Sequence, residues 1–164
     1  MQRPSQAFGR GRMDHKYVKQ VADKHYQKFE NSCSPSAIEL VLKVHERVPY
    51  DFYELQDKYG NENVGFEPFA NREIHGVQFT EHKEKPPFIH LRGLVGMEHG
   101  ANRCVVVATI EPKGKAHIWL TTEPVSYGAL AVSKDLKQTV EIDIFRERLD
   151  VRPHGHYLTY KLVE

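Results

Sequence analysis

A chain of 164 residues, 40% hydrophobic and 27% charged, is long enough to close one substantial core and has the balance of an ordinary globular domain. Its 23 basic and 22 acidic side chains leave a formal charge of +1, so electrostatics gives no reason to expect nucleic acid or a membrane surface as main partner. The longest apolar stretches, such as Cys104 to Ala108, are far too short to cross a bilayer, and 2 cysteines cannot make a disulfide framework.

Residues 1–13 hold Arg3, Gly9, Arg10, Gly11 and Arg12 without an apolar run. They read as a flexible tail and not as a secretory signal, which leaves a single domain over 14–164. Two thiols and no signal point to a reducing compartment, the cytoplasm. Asp14 to Tyr26 predicts a first helix, with Tyr17, Val18, Val21, Ala22 and His25 on one side. A polar loop runs to Ser32. Ser34 can then cap a second helix, Pro35 suits its first turn, and Ile38, Leu40, Val41, Leu42 and Val44 make it central to the core. Glu39, Lys43, Glu46 and Arg47 form its one polar stripe.

Pro49 ends that helix. Asp51 with Glu54 resembles a capping box for a short helix that Gly60 stops. Ala70 to Ile74 reads as a helical turn. Strands are predicted at Val77 to Thr80, Pro87 to Leu91, Cys104 to Ile110, His117 to Thr122, Val140 to Phe145 and Tyr157 to Val163. Glu111 to Lys115 reads as a hairpin turn joining two of them, and Val125 to Gln138 as a loop with a short helix. Helices first and an antiparallel sheet after them is the α+β pattern.

Chemistry points to Gln27 and Cys33, six positions apart, with the cysteine at a helix start. A helix N-terminus favours a thiolate, and an upstream amide can donate to an oxyanion formed beside the sulfur. A packed, inert cysteine is the competing interpretation for Cys33, and the expected one for Cys104 at the opening of a β-branched strand. Of the 10 histidines, His99 lies in a Gly-flanked segment just before that strand and is the first choice as base. His90 and His117 fall inside strand patterns and read as structural. The hairpin would bring Glu123 beside residues 99–103, where it could orient His99. No zinc spacing, Walker-type loop or dinucleotide fingerprint occurs, so neither metal nor cofactor is expected.

The segment Gln27-x5-Cys33 followed by Ser34-Pro35-Ser36-Ala37-Ile38-Glu39-Leu40-Val41-Leu42 resembles the small papain-like cysteine peptidases of the bacteriocin-processing, double-glycine leader type. The resemblance covers Asp14 to Pro124. It implies a papain-like α+β fold with a nucleophile helix packed on an antiparallel sheet, and a peptide or protein substrate hydrolysed through Cys33. Gln27 and the Cys33 N–H would then hold the oxyanion. The family usually places its histidine directly before an aromatic and a valine run, and its acid in an Asp-Pro pair. Here Asn102-Arg103-Cys104 precede Val105-Val106-Val107, and Glu123-Pro124 stands at the acid position. His156, in Gly155-His156-Tyr157-Leu158, imitates the family's string but comes after the expected acid. His99 and His156 both stay open as the base. A catalytically impaired module that grips peptide without cutting it is the alternative function.

Overall fold

A computed structural model describes residues 13–83, 88–110, 116–125, 128–144 and 153–164. Among the described residues there are four helices: α1 (His15–Asp23), α2 (Cys33–Val44), α3 (Glu54–Tyr59) and α4 (Phe88–Gly100). The strands are β1 (Glu73–Ile74), β2 (Val77–His82), β3 (Val106–Ile110), β4 (Ala116–Val125), β5 (Gly128–Asp135), β6 (Gln138–Asp143) and β7 (Pro153–Leu162). They form one antiparallel sheet in the order β1-β2-β7-β3-β4-β5-β6, which is the α+β class expected. The last strand in sequence inserts between β2 and β3, so the sheet closes only when the C-terminal segment docks. No helix among the described residues is long and apolar enough to cross a membrane.

Strand alternation divides the core into two layers. Val106 and Ala108 of β3, Ile118 and Leu120 of β4, and Val132 of β5 face one layer with Ile38, Val41 and Leu42 of α2. Val105 and Val107, Trp119, Ala129 and Ala131 face the other, with Leu91 and Val95 of α4. The helices α2 and α4 therefore cover opposite faces of the same strands. At the tight β1–β2 turn, His75 (φ 47°) and Gly76 (φ 78°) both adopt left-handed backbone, as a two-residue hairpin of this hand requires.

Several expectations need correcting. Pro87 to Leu91 was predicted as strand, yet α4 begins at Phe88, with Leu91 and Val95 buried four residues apart on its core side. Gly93, Gly96 and Gly100 lower the helix propensity that would have announced it. The supposed loop and short helix at Val125 to Gln138 is mostly β5, whose Gly128, Ala129 and Ala131 hide the alternation of a buried strand. Ala70 to Ile74 ends in strand β1. Met13, counted with the tail, is fully buried in the core. The turn expected at Glu111 to Lys115 lies outside the described residues, although its flanking strands pair from Ile110 with Ala116.

Two members of the expected polar stripe of α2 do not face water, while Glu46 and Arg47 lie past the end of the helix and are half-buried. Glu39 and Lys43 are 0% and 2% exposed. The Glu39 carboxylate accepts from the N–H groups of Leu55 (2.9 Å) and Gln56 (3.1 Å) and from Gln56 Nε2 (2.7 Å). It thereby caps α3 from a distance, the task assigned by sequence to Asp51; the N-cap position is Tyr53, with no side-chain cap of its own. Burial raises the Glu39 carboxyl to about 7 despite these donors, and burial lowers Lys43 to about 8. The Lys43 ammonium donates to His25 Nδ1 at 2.8 Å and lies 3.7 Å over the Tyr53 ring. His25 Nε2 is 3.0 Å from the Ser36 carbonyl, a pairing that fixes the neutral ring with its proton on Nε2.

Acid sensitivity follows. Burial lowers His25 to about 3, helped by Lys43, and lowers His45 to about 4, helped by Arg47 and Arg103. Each is depressed below its unfolded value, so each contributes stability that is present above about pH 6.5 and is lost as pH falls. Glu39 works the other way, since its raised pKa gives stability below pH 4.5 that is lost as pH rises through about 7. Two histidines outweigh one carboxyl. Between pH 6.5 and 4.5 urea titrations should therefore show stability falling by up to about 1.4 kcal/mol per pH unit net. His45→Phe should flatten that slope; an unchanged slope would remove His45 from the account.

Candidate active site

Cys33 is the first residue of α2, half-buried, with Ser32 in the N-cap position. The preceding loop is fastened from α3. Gln56 Nε2 donates to the Tyr26 carbonyl (3.0 Å), while its Oε1 accepts from Lys28 N–H (2.7 Å) and from the Ser32 hydroxyl (2.8 Å). Glu39 holds Gln56 in turn, so one buried chain of hydrogen bonds runs from the middle of α2 to the residue before the thiol. Sequence reasoning missed both residues. Glu39 looked like solvated surface, and Gln56 lies 23 positions from Cys33.

Gln27 does come to Cys33. The two line one crevice with Ser36, Leu120 and Lys134, a space of about 10 Å³ that holds at most a single water. The amide, however, is committed elsewhere: Nε2 donates to the carbonyls of Phe29 (2.7 Å) and Glu30 (2.9 Å). An NH₂ group has two hydrogens, and both are used. In this conformation Gln27 shapes the loop, with no donor left to aim at an oxyanion.

His99 and Glu123 also come together, but not with Cys33. His99 occupies the last turn of α4, on the sheet face opposite α2, instead of the loop expected from sequence. Its donor atom and those of Glu123 and Asp14 lie within 4.8 Å of one another. Cys33 borders Ile118, and Glu123 is five residues further along β4, about 16 Å at 3.3 Å per residue. Gln27 and Cys33 thus form one pair and His99 and Glu123 another, at separate places. The four do not make one constellation here. His156 falls in β7, and its side chain lies outside the described residues.

His117, expected to be a structural strand residue, sits at the start of β4 between Ala116 and Ile118, both of which border the space beside Cys33. Its Nε2 is 2.7 Å from Ser133 Oγ on β5, and its ring lies 4.7 Å from that of Trp119. Alternation along β4 directs it with Trp119 toward the α4 layer.

The open space beside Cys33 is a groove of about 530 Å³. Its walls include Val64, Gly65 and Phe66 on one side and Ala108, Ala116 and Ile118 on the other, with Glu67, Glu81 and Lys83 supplying charge. Cys104 contrasts with Cys33. It is 1% exposed, and burial pushes its thiol up to about 12. Alkylation of the native protein should therefore stop at one adduct, at Cys33, with Cys104 reacting only after denaturation. Intact-mass spectrometry reads this directly, and two adducts on folded protein would contradict the burial of Cys104.

No family model matches the sequence, and no curated relative does. The fold has a counterpart. The crystal structure of a double glycine motif protease from an AMS/PCAT transporter, in complex with the leader peptide, matches with a TM-score of 0.53 at 12% sequence identity. The match covers 80% of this chain and 84% of that chain. The chain accordingly shares the fold of that protease: helices and an antiparallel sheet, with the cysteine helix packed on its strands.

Proposed function

We propose that this chain is a papain-like peptide-binding module, which holds an extended peptide in the groove beside Cys33. The observation carrying this is the groove itself, large enough for several residues and bordered by Gly65, Ala108 and Ala116, whose small size leaves room for a backbone to pass close to the thiol. The similarly folded protease was crystallised with a leader peptide, which makes a leader-like segment with small residues the first peptide class to try. Binding here would follow from shape and backbone contacts, with the charged rim selecting among sequences.

The test is fluorescence anisotropy against a panel of labelled peptides, including a Gly-Gly-containing leader-like member. Ala116→Trp fills the groove. It should weaken the tightest binder at least tenfold, about 1.4 kcal/mol, while thermal stability stays near wild type. Equal binding by the two proteins would place the peptide elsewhere.

Hydrolysis through Cys33 is the second function, favoured by the position of a half-buried thiol at a helix N-terminus on the groove wall. In it Cys33 attacks a peptide carbonyl, Gln27 donates to the oxyanion, His99 moves the proton and Glu123 orients it. That scheme needs Gln27 to leave Phe29 and Glu30, and His99 to cross from the α4 face. The rate of Cys33 alkylation against pH separates the two functions. Rapid labelling far below the free-thiol range of about 8.5 marks a thiolate paired with imidazolium; ordinary thiol behaviour leaves the binding module in place.

A further inference from the structure

We propose that Asp14, His99 and Glu123 form a binding site for one divalent transition-metal ion, zinc by preference, which clamps the start of α1 to α4 and the end of β4. The three donors come from three separate elements, and their ligand atoms lie within 4.8 Å of one another. Asp14 occupies the N-cap position of α1 yet makes no side-chain cap hydrogen bond. An aspartate there ordinarily accepts from the first helical N–H groups. Its Oδ1 stands instead 3.8 Å from His99 Nε2. That is too long for a hydrogen bond. It is close to the separation of about 3.4 Å between two ligands of a tetrahedral ion bonded at about 2.1 Å.

The other two donors are already held. The His15 backbone N–H donates to Glu123 Oε2 at 3.0 Å, which fixes the carboxylate. Its imidazole bonds Thr122 Oγ1 (2.8 Å) and Glu141 Oε1 (2.7 Å), pinning that segment across the sheet end. His99 ends α4, where Asn102 N–H donates to the His99 carbonyl (2.9 Å) and Arg103 N–H to that of Glu98 (2.7 Å). His99 Nε2 is the ring atom that faces Asp14, while Nδ1 is buried without a hydrogen-bond partner, so no protein group fixes the tautomer against metal binding at Nε2. One imidazole and two carboxylates balance a divalent charge and leave a fourth position for water, a donor set that suits zinc above magnesium or calcium. No sequence spacing announces it, because positions 14, 99 and 123 meet only in the fold.

The experiment uses the full chain, carrying Cys33→Ser to remove a competing thiol, stripped with chelator and titrated with Zn²⁺ alone or Co²⁺ alone. The expected result is one ion retained per chain after dialysis, cobalt absorption of low coordination number, and a raised thermal midpoint. Asp14→Asn and Glu123→Gln should each weaken binding at least tenfold, and His99→Ala about a hundredfold. Asp14 is exposed, so its variant keeps the test valid even where His99→Ala folds poorly. Retention of no ion, or retention unaffected by Asp14→Asn and His99→Ala, overturns the site.

Discussion

Glu39→Leu should lower the unfolding free energy by about 3–5 kcal/mol at pH 7, the penalty for removing one member of a buried charged network. Leucine fits the volume but accepts nothing. The N–H groups of Leu55 and Gln56 and the Gln56 amide would lose their acceptor inside the protein, at about 1–3 kcal/mol for each donor left dry. Lys43, only 2% exposed, would lose the carboxyl group that does most to offset its burial. With a total stability of about 5–15 kcal/mol for a domain of this kind, the variant would be marginal or unfolded. Two companions identify the cause. Glu39→Gln keeps one carbonyl acceptor and should lose less than half as much. Adding Lys43→Met to Glu39→Leu should recover part of the loss, because the orphaned charge goes with it. Urea titration measures all three. A Glu39→Leu loss under about 1 kcal/mol would mean that α3 and the loop before Cys33 are held by other contacts.

The second large effect concerns Tyr160→Phe, expected to remove about 2–4 kcal/mol although a single oxygen is deleted. The Tyr160 hydroxyl, in a side chain 2% exposed, accepts from the Cys104 N–H at 2.8 Å and lies 2.6 Å from His45 Nε2. Burial keeps His45 neutral and raises the phenol well above its ordinary range, so the phenol donates and the imidazole accepts. Phenylalanine leaves the strand amide and the ring nitrogen both unpaired where β7 crosses β3. The ring packing against Phe79 is unchanged, which confines the loss to the two hydrogen bonds. A midpoint equal to wild type would show that water reaches this point.

Much of the fold is legible in the residues, for physical reasons. Val18, Val21 and Ala22, then Ile38, Val41, Leu42 and Val44, bury in periods that only a helix satisfies, and the valine run of β3 is a strand covered on both faces. Failures fall where side chains are small. Gly93 and Gly96 disguise α4, and Gly128, Ala129 and Ala131 disguise β5, because the signal that marks a buried face is the size of what it buries. The site divides along the same line. The Gln27–Cys33 spacing is local, and the structure brings the pair to one crevice. What the Gln27 amide bonds, which face His99 occupies and that Asp14 meets Glu123 are set by contacts remote in sequence. Misreading α4 as a strand and a loop also misplaced His99, since a helix laid across the far face carries its last turn away from α2.

The fold thus presents a cysteine helix, a loop locked in front of it and a groove at its side. Binding of peptide in that groove is the central claim, and protection of the thiol tests it most directly. Cys33 alkylation by a small reagent should slow at least tenfold when the tightest peptide of the panel is saturating, with the protection lost in Ala116→Trp. Peptide that binds equally tightly yet leaves the alkylation rate of Cys33 unchanged would contradict it.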